Sequence, residues 1–119
     1  ENTSQNDLNL IMGDFNDYPS NESLDEILVK EDLLNLMSSS QVSGIGSYNY
    51  RGNWDWLDQI IISKEISSFK LIMFGAFEED FMLYTNKKGV VYPSRSFGGN
   101  NWYGGYSDHL PVFLKMGFL

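Results

Sequence analysis

Short apolar runs separated by polar, glycine-rich stretches set the pattern along the chain. Residues 8–13 form an apolar run that ends in glycine, and this pattern predicts a buried strand. A helix is predicted after a cap at Ser20 or Asn21, because apolar residues then recur at helical spacing. Residues 33–37 fit either a helix or a strand, and the Ser- and Gly-rich residues 38–47 predict a loop.

The second half of the chain predicts strands joined by turns. Residues 47–51 alternate aromatic and polar side chains, and the Gly52–Asn53 dipeptide is typical of a hairpin turn. Further strands are predicted at 54–63, 69–77 and 111–118. A strand, a helix and then several strands indicate one α/β domain over residues 1–119.

A long segment, residues 86–107, is rich in Gly, Asn, Ser and aromatic side chains. Loops of this length are uncommon unless they have a function. Its aromatic residues, with Trp102 and Tyr106 the candidates for contact with a substrate, are suited to stacking on a ligand.

Composition and charge narrow the function. The 119 residues are 42% hydrophobic and 15% aromatic, which is typical of a globular domain. The net charge is -8, and the eight Lys and Arg residues are scattered, which argues against strong nonspecific DNA binding. Because the chain has no cysteine, disulfides, thiolate zinc sites and cysteine nucleophiles are excluded. No apolar run reaches the roughly 18 residues of a membrane span.

Three short motifs hold the candidate chemistry, and each lies at one end of an apolar run. They are GDFND at 13–17, WLDQI at 56–60 and SDHLP at 107–111. Alone, each has a structural explanation, such as a turn aspartate or a buried ion pair. Asp58 lies among apolar residues, where a carboxylate is costly unless it is paired. His109 is the only histidine.

Together the motifs supply what phosphoester hydrolysis with a hard metal ion requires. Mg²⁺ prefers carboxylate and carbonyl oxygens and keeps several waters. A carboxylate can orient the attacking water, and a histidine held by a second carboxylate can stabilise charge on the phosphoryl oxygens.

In this order and at these separations, the three motifs resemble the C-terminal signatures of the endonuclease/exonuclease/phosphatase superfamily. This group includes DNase I-like nucleases, abasic-site endonucleases, sphingomyelinases and inositol polyphosphate 5-phosphatases. The resemblance spans Leu10 to Leu114. The surrounding stretches YRGNWDWLDQIIIS and GGNNWYGGYSDHLPV are most similar to a bacterial branch. The resemblance implies a mixed, mostly antiparallel sheet flanked by helices, as half of a four-layer α/β sandwich.

The resemblance also implies residue roles, with Mg²⁺ or Mn²⁺ as the cofactor. Asp14 orients or activates the water, and Asn16 binds the scissile phosphate or helps to hold that water. Asp58 fixes the ring of His109, which contacts a phosphoryl oxygen. Asp108 is a metal ligand. Gln59 stands where relatives often carry His or Arg, which predicts altered substrate contacts.

The family pattern also includes an N-terminal half that supplies an Asn and a metal-binding Glu. No acidic motif precedes Asp14. We therefore expect the chain to be the C-terminal portion of the domain, with the N-terminal half as a missing partner. Alone it is expected to bind metal weakly, to turn over little substrate and to self-associate through an exposed apolar face.

Other functions were weighed against this one. An EF-hand starting at Asp14 fails because Pro19 takes the glycine position and Asp25 the glutamate position. A serine hydrolase is disfavoured because no Gly-x-Ser-x-Gly motif is present. A non-catalytic carbohydrate- or partner-binding module stays an alternative. The substrate remains open among small-molecule, lipid and nucleic acid phosphoesters, as does the compartment, with an extracytoplasmic parent protein among the options.

Overall fold

Eleven strands are present in the computed structural model, which describes residues 8–119. They are β1 (Leu10–Asp14), β2 (Leu33–Asn35), β3 (Tyr48–Tyr50), β4 (Asn53–Asp55), β5 (Asp58–Ser63), β6 (Phe69–Ala76), β7 (Leu83–Thr85), β8 (Val91–Pro93), β9 (Phe97–Gly98), β10 (Asn101–Trp102) and β11 (Val112–Phe118). All pairs between these strands are antiparallel. The prediction of a mostly antiparallel sheet structure is therefore confirmed.

Helical structure within residues 8–119 is limited to three short turns. A π-helical turn spans Ser23–Leu28, and 3₁₀ turns span Leu36–Ser38 and Asp80–Met82. The helix predicted after Asn21 is thus a single short segment, and it buries Leu24. Flanking helices and a four-layer sandwich stay predictions. No helix in the described part of the chain is long and apolar enough to cross a membrane.

The central sheet has the order β1–β5–β2. Strand β5 lies in the middle and is buried on both faces, with Ile60, Ile61 and Ile62 at most 1% exposed. A strand covered on both faces is apolar at successive positions, which explains the run of three isoleucines.

Strand β1 forms as predicted, but the prediction that it is buried is wrong. Leu10, Ile11 and Met12 are 44%, 38% and 45% exposed. Among residues 8–119, β1 pairs only with β5 and is an edge strand. The hydrophobic pattern therefore identified the strand correctly, but it did not show how much of the strand is buried by other elements.

The core lies where β5 meets the β6–β11 pair. Ile60 and Ile62 of β5 cluster with Phe74 and Ala76 of β6. Leu36 and Met37 of the 3₁₀ turn after β2 complete the cluster, together with Trp56 and Leu110 from the segments before β5 and β11. The predicted strands at 69–77 and 111–118 are both observed, each shortened by one residue.

The strand predicted at residues 54–63 is split in two. The β3–β4 hairpin turns at Arg51 and Gly52, one residue earlier than predicted, and both residues have positive φ (52° and 93°). After β4 the strand is interrupted at Trp56 and Leu57. The chain then enters the central sheet as β5. A single strand was predicted because the alternation of side chains does not show where the chain passes from one sheet to another.

Candidate active site

Two carboxylates lie opposite each other where β1 ends and β5 begins. Asp14 is the cross-strand partner of Asp58 in the antiparallel ladder. Directly opposed residues project to the same face of a sheet, and like charges in this arrangement repel. The pairing therefore costs stability unless another group lies between the two carboxylates.

His109 is that group. Its Nδ1 lies 2.6 Å from Asp58 Oδ2, and its Nε2 lies 4.0 Å from Asp14 Oδ2. An ionised carboxylate can only accept hydrogen bonds, so the Nδ1–H donates to Asp58. The other ring nitrogen then faces Asp14. The Asp58 side chain is 14% exposed and that of Asp14 is 52% exposed, so only the second carboxylate is open to solvent.

The imidazole ring is fixed from a second side by Tyr48. The two rings lie 4.9 Å apart between centroids at an interplanar angle of 36°, and the two residues also form an isolated antiparallel bridge. His109 thus has an aromatic neighbour, a carboxylate partner and a backbone contact that hold its orientation.

Ser47 joins the strand start to the histidine segment. Its Oγ accepts hydrogen bonds from the backbone N–H groups of Leu57 (3.3 Å) and Asp58 (3.2 Å). Its carbonyl oxygen accepts from the N–H of Leu110 at 2.7 Å. Because Ser47 is fully buried, these bonds are shielded from water and fix Asp58 relative to His109.

The Asp14 loop turns sharply after β1. The Asp14 Oδ1 accepts a hydrogen bond from the backbone N–H of Asn16 at 2.8 Å, which is an Asx turn. Asn16 has a φ of 52°, a region that Asn tolerates better than most residues. The N–H of Phe15 donates to the carbonyl of Leu57. Asn16 is exposed beside Asp14, so its amide is accessible to a ligand.

Asp17 stabilises the rest of this loop and lies outside the carboxylate pair. Its carboxyl accepts hydrogen bonds from the Ser23 hydroxyl and, at 2.5 Å, from the Asn21 amide. These two bonds hold the pKa of the Asp17 carboxyl below its ordinary value.

Gln59 holds the loop against the sheet. The amide is fully buried, and its Nε2 donates to the carbonyl oxygens of Asp17 (2.8 Å) and Trp56 (2.7 Å). Its Oε1 accepts from the Asn35 amide at 2.9 Å. These bonds are within the protein, and as the neighbour of Asp58 in β5 the side chain projects to the opposite face of the strand. That Gln59 alters substrate contacts stays a prediction.

Asp108 lies apart from the carboxylate pair. Its Oδ2 is 3.7 Å from the Arg95 guanidinium, and both side chains are about half exposed, at 53% and 42%. An exposed pair at this distance contributes little stability. The structure brings together Asp14, Asp58 and His109 but does not place Asp108 in that group.

A cleft of about 350 Å³ opens at the histidine. Asp58, Ser107 and His109 form its polar wall, and its apolar wall is formed by Met82, Tyr106, Leu110 and Pro111. Tyr106 therefore lines the cleft beside His109, and its contact with a substrate stays a prediction. Trp102 lies on β10, outside the residues that line the cleft.

The donor atoms fit a divalent cation only in part. One ligand atom each from Asp14, Asp58 and His109 lies within 4.8 Å of the other two. The Asp58 Oδ2 and the His109 Nδ1 bond each other, which leaves Asp14 as the open carboxylate. A hard cation here takes its remaining ligands from water or from further oxygen donors.

Ser47, Tyr48 and the structural role of Gln59 were not found from sequence. Ser47 and Tyr48 lie about ten residues before Asp58 in an ordinary strand pattern. The only signal for Gln59 in the sequence was that an amide stands next to an aspartate in an apolar run. Their contacts depend on where the β3–β4 hairpin places Ser47 and Tyr48 relative to the start of β5 and to His109, which residue spacing does not encode.

An imidazole held by one carboxylate and facing another can take part in acid–base chemistry and can donate a hydrogen bond to an anionic group. The chain belongs to the Endonuclease/Exonuclease/phosphatase family, whose family model matches residues 1–117. Members of this family usually hydrolyse phosphoesters and generally use a divalent metal. Searches of curated proteins and of solved structures gave no match.

Proposed function

We propose that the chain carries part of the active site of an Mg²⁺- or Mn²⁺-dependent phosphoester hydrolase. The convergence of Asp14, Asp58 and His109 within 4.8 Å, where β1 ends and β5 begins, carries this proposal. Family membership supports the reaction class. The metal contributes Lewis-acid stabilisation of the phosphoryl oxygens when it is bound.

The residues of this chain have the remaining roles in the reaction. The open carboxylate of Asp14 orients a water and accepts its proton as the water oxygen attacks phosphorus in line. The P–O bond to the alcohol breaks, and the alcohol takes a proton from solvent. In its protonated form His109 donates an Nε2 hydrogen bond to a phosphoryl oxygen, while Asp58 holds Nδ1. The exposed Asn16 amide binds the phosphate beside Asp14.

The rest of the metal site comes from outside the three-residue group. Asp108 supplies a ligand if its carboxylate leaves Arg95, an exposed partner that is easily displaced. Further oxygen ligands come from the N-terminal half of the domain, which packs on the exposed edge of β1. Without it, the chain binds metal weakly and has little activity.

Hydrolysis assays on the parent chain with its N-terminal half test this proposal. The substrates are a generic phosphodiester, a phosphomonoester, plasmid DNA and sphingomyelin, each with and without Mg²⁺. We expect turnover that requires Mg²⁺ and falls at least about 100-fold in His109→Ala, the usual cost of removing one hydrogen-bond donor that stabilises the transition state. The Asp32→Ala variant, in a turn away from the site, is the control and keeps full activity. Metal-independent turnover, or turnover that survives His109→Ala, contradicts the proposal.

A further inference from the structure

Residues 94–107 form an ordered loop that leads directly into His109. The carbonyl oxygen of Ser94 accepts hydrogen bonds from the N–H groups of Tyr106 (2.6 Å) and Ser107 (3.2 Å). The carbonyl oxygen of Ser96 accepts from the N–H of Tyr103 at 2.7 Å. These bonds close the loop at its base, so its position is fixed relative to the catalytic histidine. We call residues 94–107 the aromatic loop.

Glycines allow the loop to close. A Cβ on Gly105 would lie 2.1 Å from the Ser94 carbonyl oxygen, and one on Gly98 would lie 2.3 Å from the Tyr103 ring. Gly99, with a φ of 58°, begins the two-residue turn between β9 and β10. The loop thus has a defined shape with Tyr103 packed over Gly98.

The loop nevertheless leaves large rings in water. Trp102, Tyr103 and Tyr106 are 65%, 64% and 70% exposed. Edge-to-face contacts fix two ring pairs, Phe97 with Trp102 at 4.8 Å and Phe81 with Tyr106 at 5.4 Å between centroids. A rigid loop that presents aromatic faces to solvent beside a cleft indicates a ligand surface.

Charge narrows the class of ligand. Arg95 is the only charged residue of the aromatic loop, so the loop carries at most one positive charge. Single-stranded nucleic acid also stacks on aromatic rings, but its binding grooves are positively charged. The hairpin turn consists of Gly99 and the exposed Asn100, and the exposed Asn101 follows at the start of β10. Inserting such amides into a lipid bilayer without partners is costly.

An uncharged sugar fits both features of this loop. Its ring presents an apolar C–H face that can stack on Trp102 or Tyr106. Its hydroxyl groups can exchange hydrogen bonds with the Asn100 and Asn101 amides. We propose that the aromatic loop binds a neutral sugar ring, and that the phosphoester hydrolysed at His109 is that of a sugar-containing substrate. The second part rests on the proposed function, whereas the first does not.

Ligand-observed NMR on the full chain tests the sugar site without using activity. The probes are unphosphorylated glucose-, galactose-, mannose- and N-acetylglucosamine-based oligosaccharides. We expect saturation transfer to the ring C–H protons of at least one sugar. Trp102→Ala should weaken this binding about tenfold or more, the usual weight of one stacking contact. Tyr84→Ala removes a comparably exposed ring on β7 and serves as the control that keeps binding.

Two further arms separate the alternatives. Phosphatidylcholine vesicles and an oligodeoxythymidine are titrated while tryptophan fluorescence is followed. Absence of binding to every sugar overturns the proposal, whether or not the vesicles or the oligodeoxythymidine bind, as does sugar binding that survives both Trp102→Ala and Tyr106→Ala. Hydrolysis of a sugar-free phosphodiester is measured separately, so that failure of the hydrolase proposal and failure of the sugar site are distinguished.

Discussion

The imidazole Nδ1 of His109 lies 2.6 Å from the carboxylate Oδ2 of Asp58, although 51 residues separate them in sequence. Asp58 is the more buried of the two carboxylates at the site. This geometry selects the tautomer in which Nδ1 carries the proton and Nε2 faces Asp14. Because the chain contains one histidine, every NMR signal from a histidine ring reports on His109, and the contact can be tested directly.

Replacing Asp58 with Asn should remove the tautomer preference while keeping the shape of the side chain. Nitrogen-15 NMR of the histidine ring should show predominantly Nδ1–H in the native chain and a mixture in Asp58→Asn. In the hydrolysis assay of the proposed function, turnover should fall at least about 100-fold. Asp25→Asn, on an exposed helical turn, is the control. An unchanged ring spectrum in Asp58→Asn contradicts the assigned role.

Ser47→Ala should destabilise the chain by about 1–3 kcal/mol, because the buried N–H groups of Leu57 and Asp58 lose their acceptor. Urea unfolding followed by tryptophan fluorescence measures this change. Ser40→Ala, at an exposed position, should change the free energy of unfolding by less than about 0.5 kcal/mol. Equal effects of the two substitutions would show that the Ser47 hydroxyl is not needed.

Gln59→Leu should cost at least about 2 kcal/mol, because the carbonyls of Asp17 and Trp56 and the amide of Asn35 lose their partner. Hydrogen exchange at residues 15–18 should accelerate as the loop separates from the sheet. Gln41→Leu, at an exposed position, is the matched control. If hydrogen exchange in that loop is unchanged while the Gln59→Leu chain remains folded, this interpretation is contradicted.

Asp17 should make stability depend on acidity. The folded-state pKa of its carboxyl is lowered, so the folded state is stabilised above the ordinary pKa of 3.8 and loses this contribution as the pH falls through the folded value. The difference in urea midpoint between the native chain and Asp17→Asn should therefore be largest near neutral pH and shrink below about pH 4. A difference that grows on acidification is the contrary result.

The exposed strand β1 should promote self-association of the isolated chain. Leu10 and Met12 are 44% and 45% exposed on an edge strand, which can pair with a second copy. Light scattering should report a mass above that of one chain, rising with concentration. Leu10→Lys with Met12→Lys should lower it, and Lys70→Glu, on a different strand pair, should not. A monomer at all concentrations rules the prediction out.

The sequence predicted where the strands lie along the chain better than it predicted how deeply each strand is buried. The isoleucine run of β5 and the apolar run of β1 were both identified, yet one is fully buried and the other half exposed, because position within a sheet depends on distant pairing. The three motifs predicted the residues that could meet, since strand ends gather polar side chains. Asp14, Asp58 and His109 do meet. Spacing could not reveal that Ser47 and Tyr48 fix the histidine, or that Asp108 faces Arg95.

The opposition of Asp14 and Asp58 makes the site depend on how the strands align. Side chains alternate between faces, so a slip of β1 by one residue along β5 would turn Asp14 away from His109 and leave an otherwise normal ladder. Deleting a single residue within β1 should therefore separate Asp14 from His109 in a chain that still folds. Only the observed register brings Asp14, Asp58 and His109 together, so the proposed activity would report on strand alignment as well as on folding.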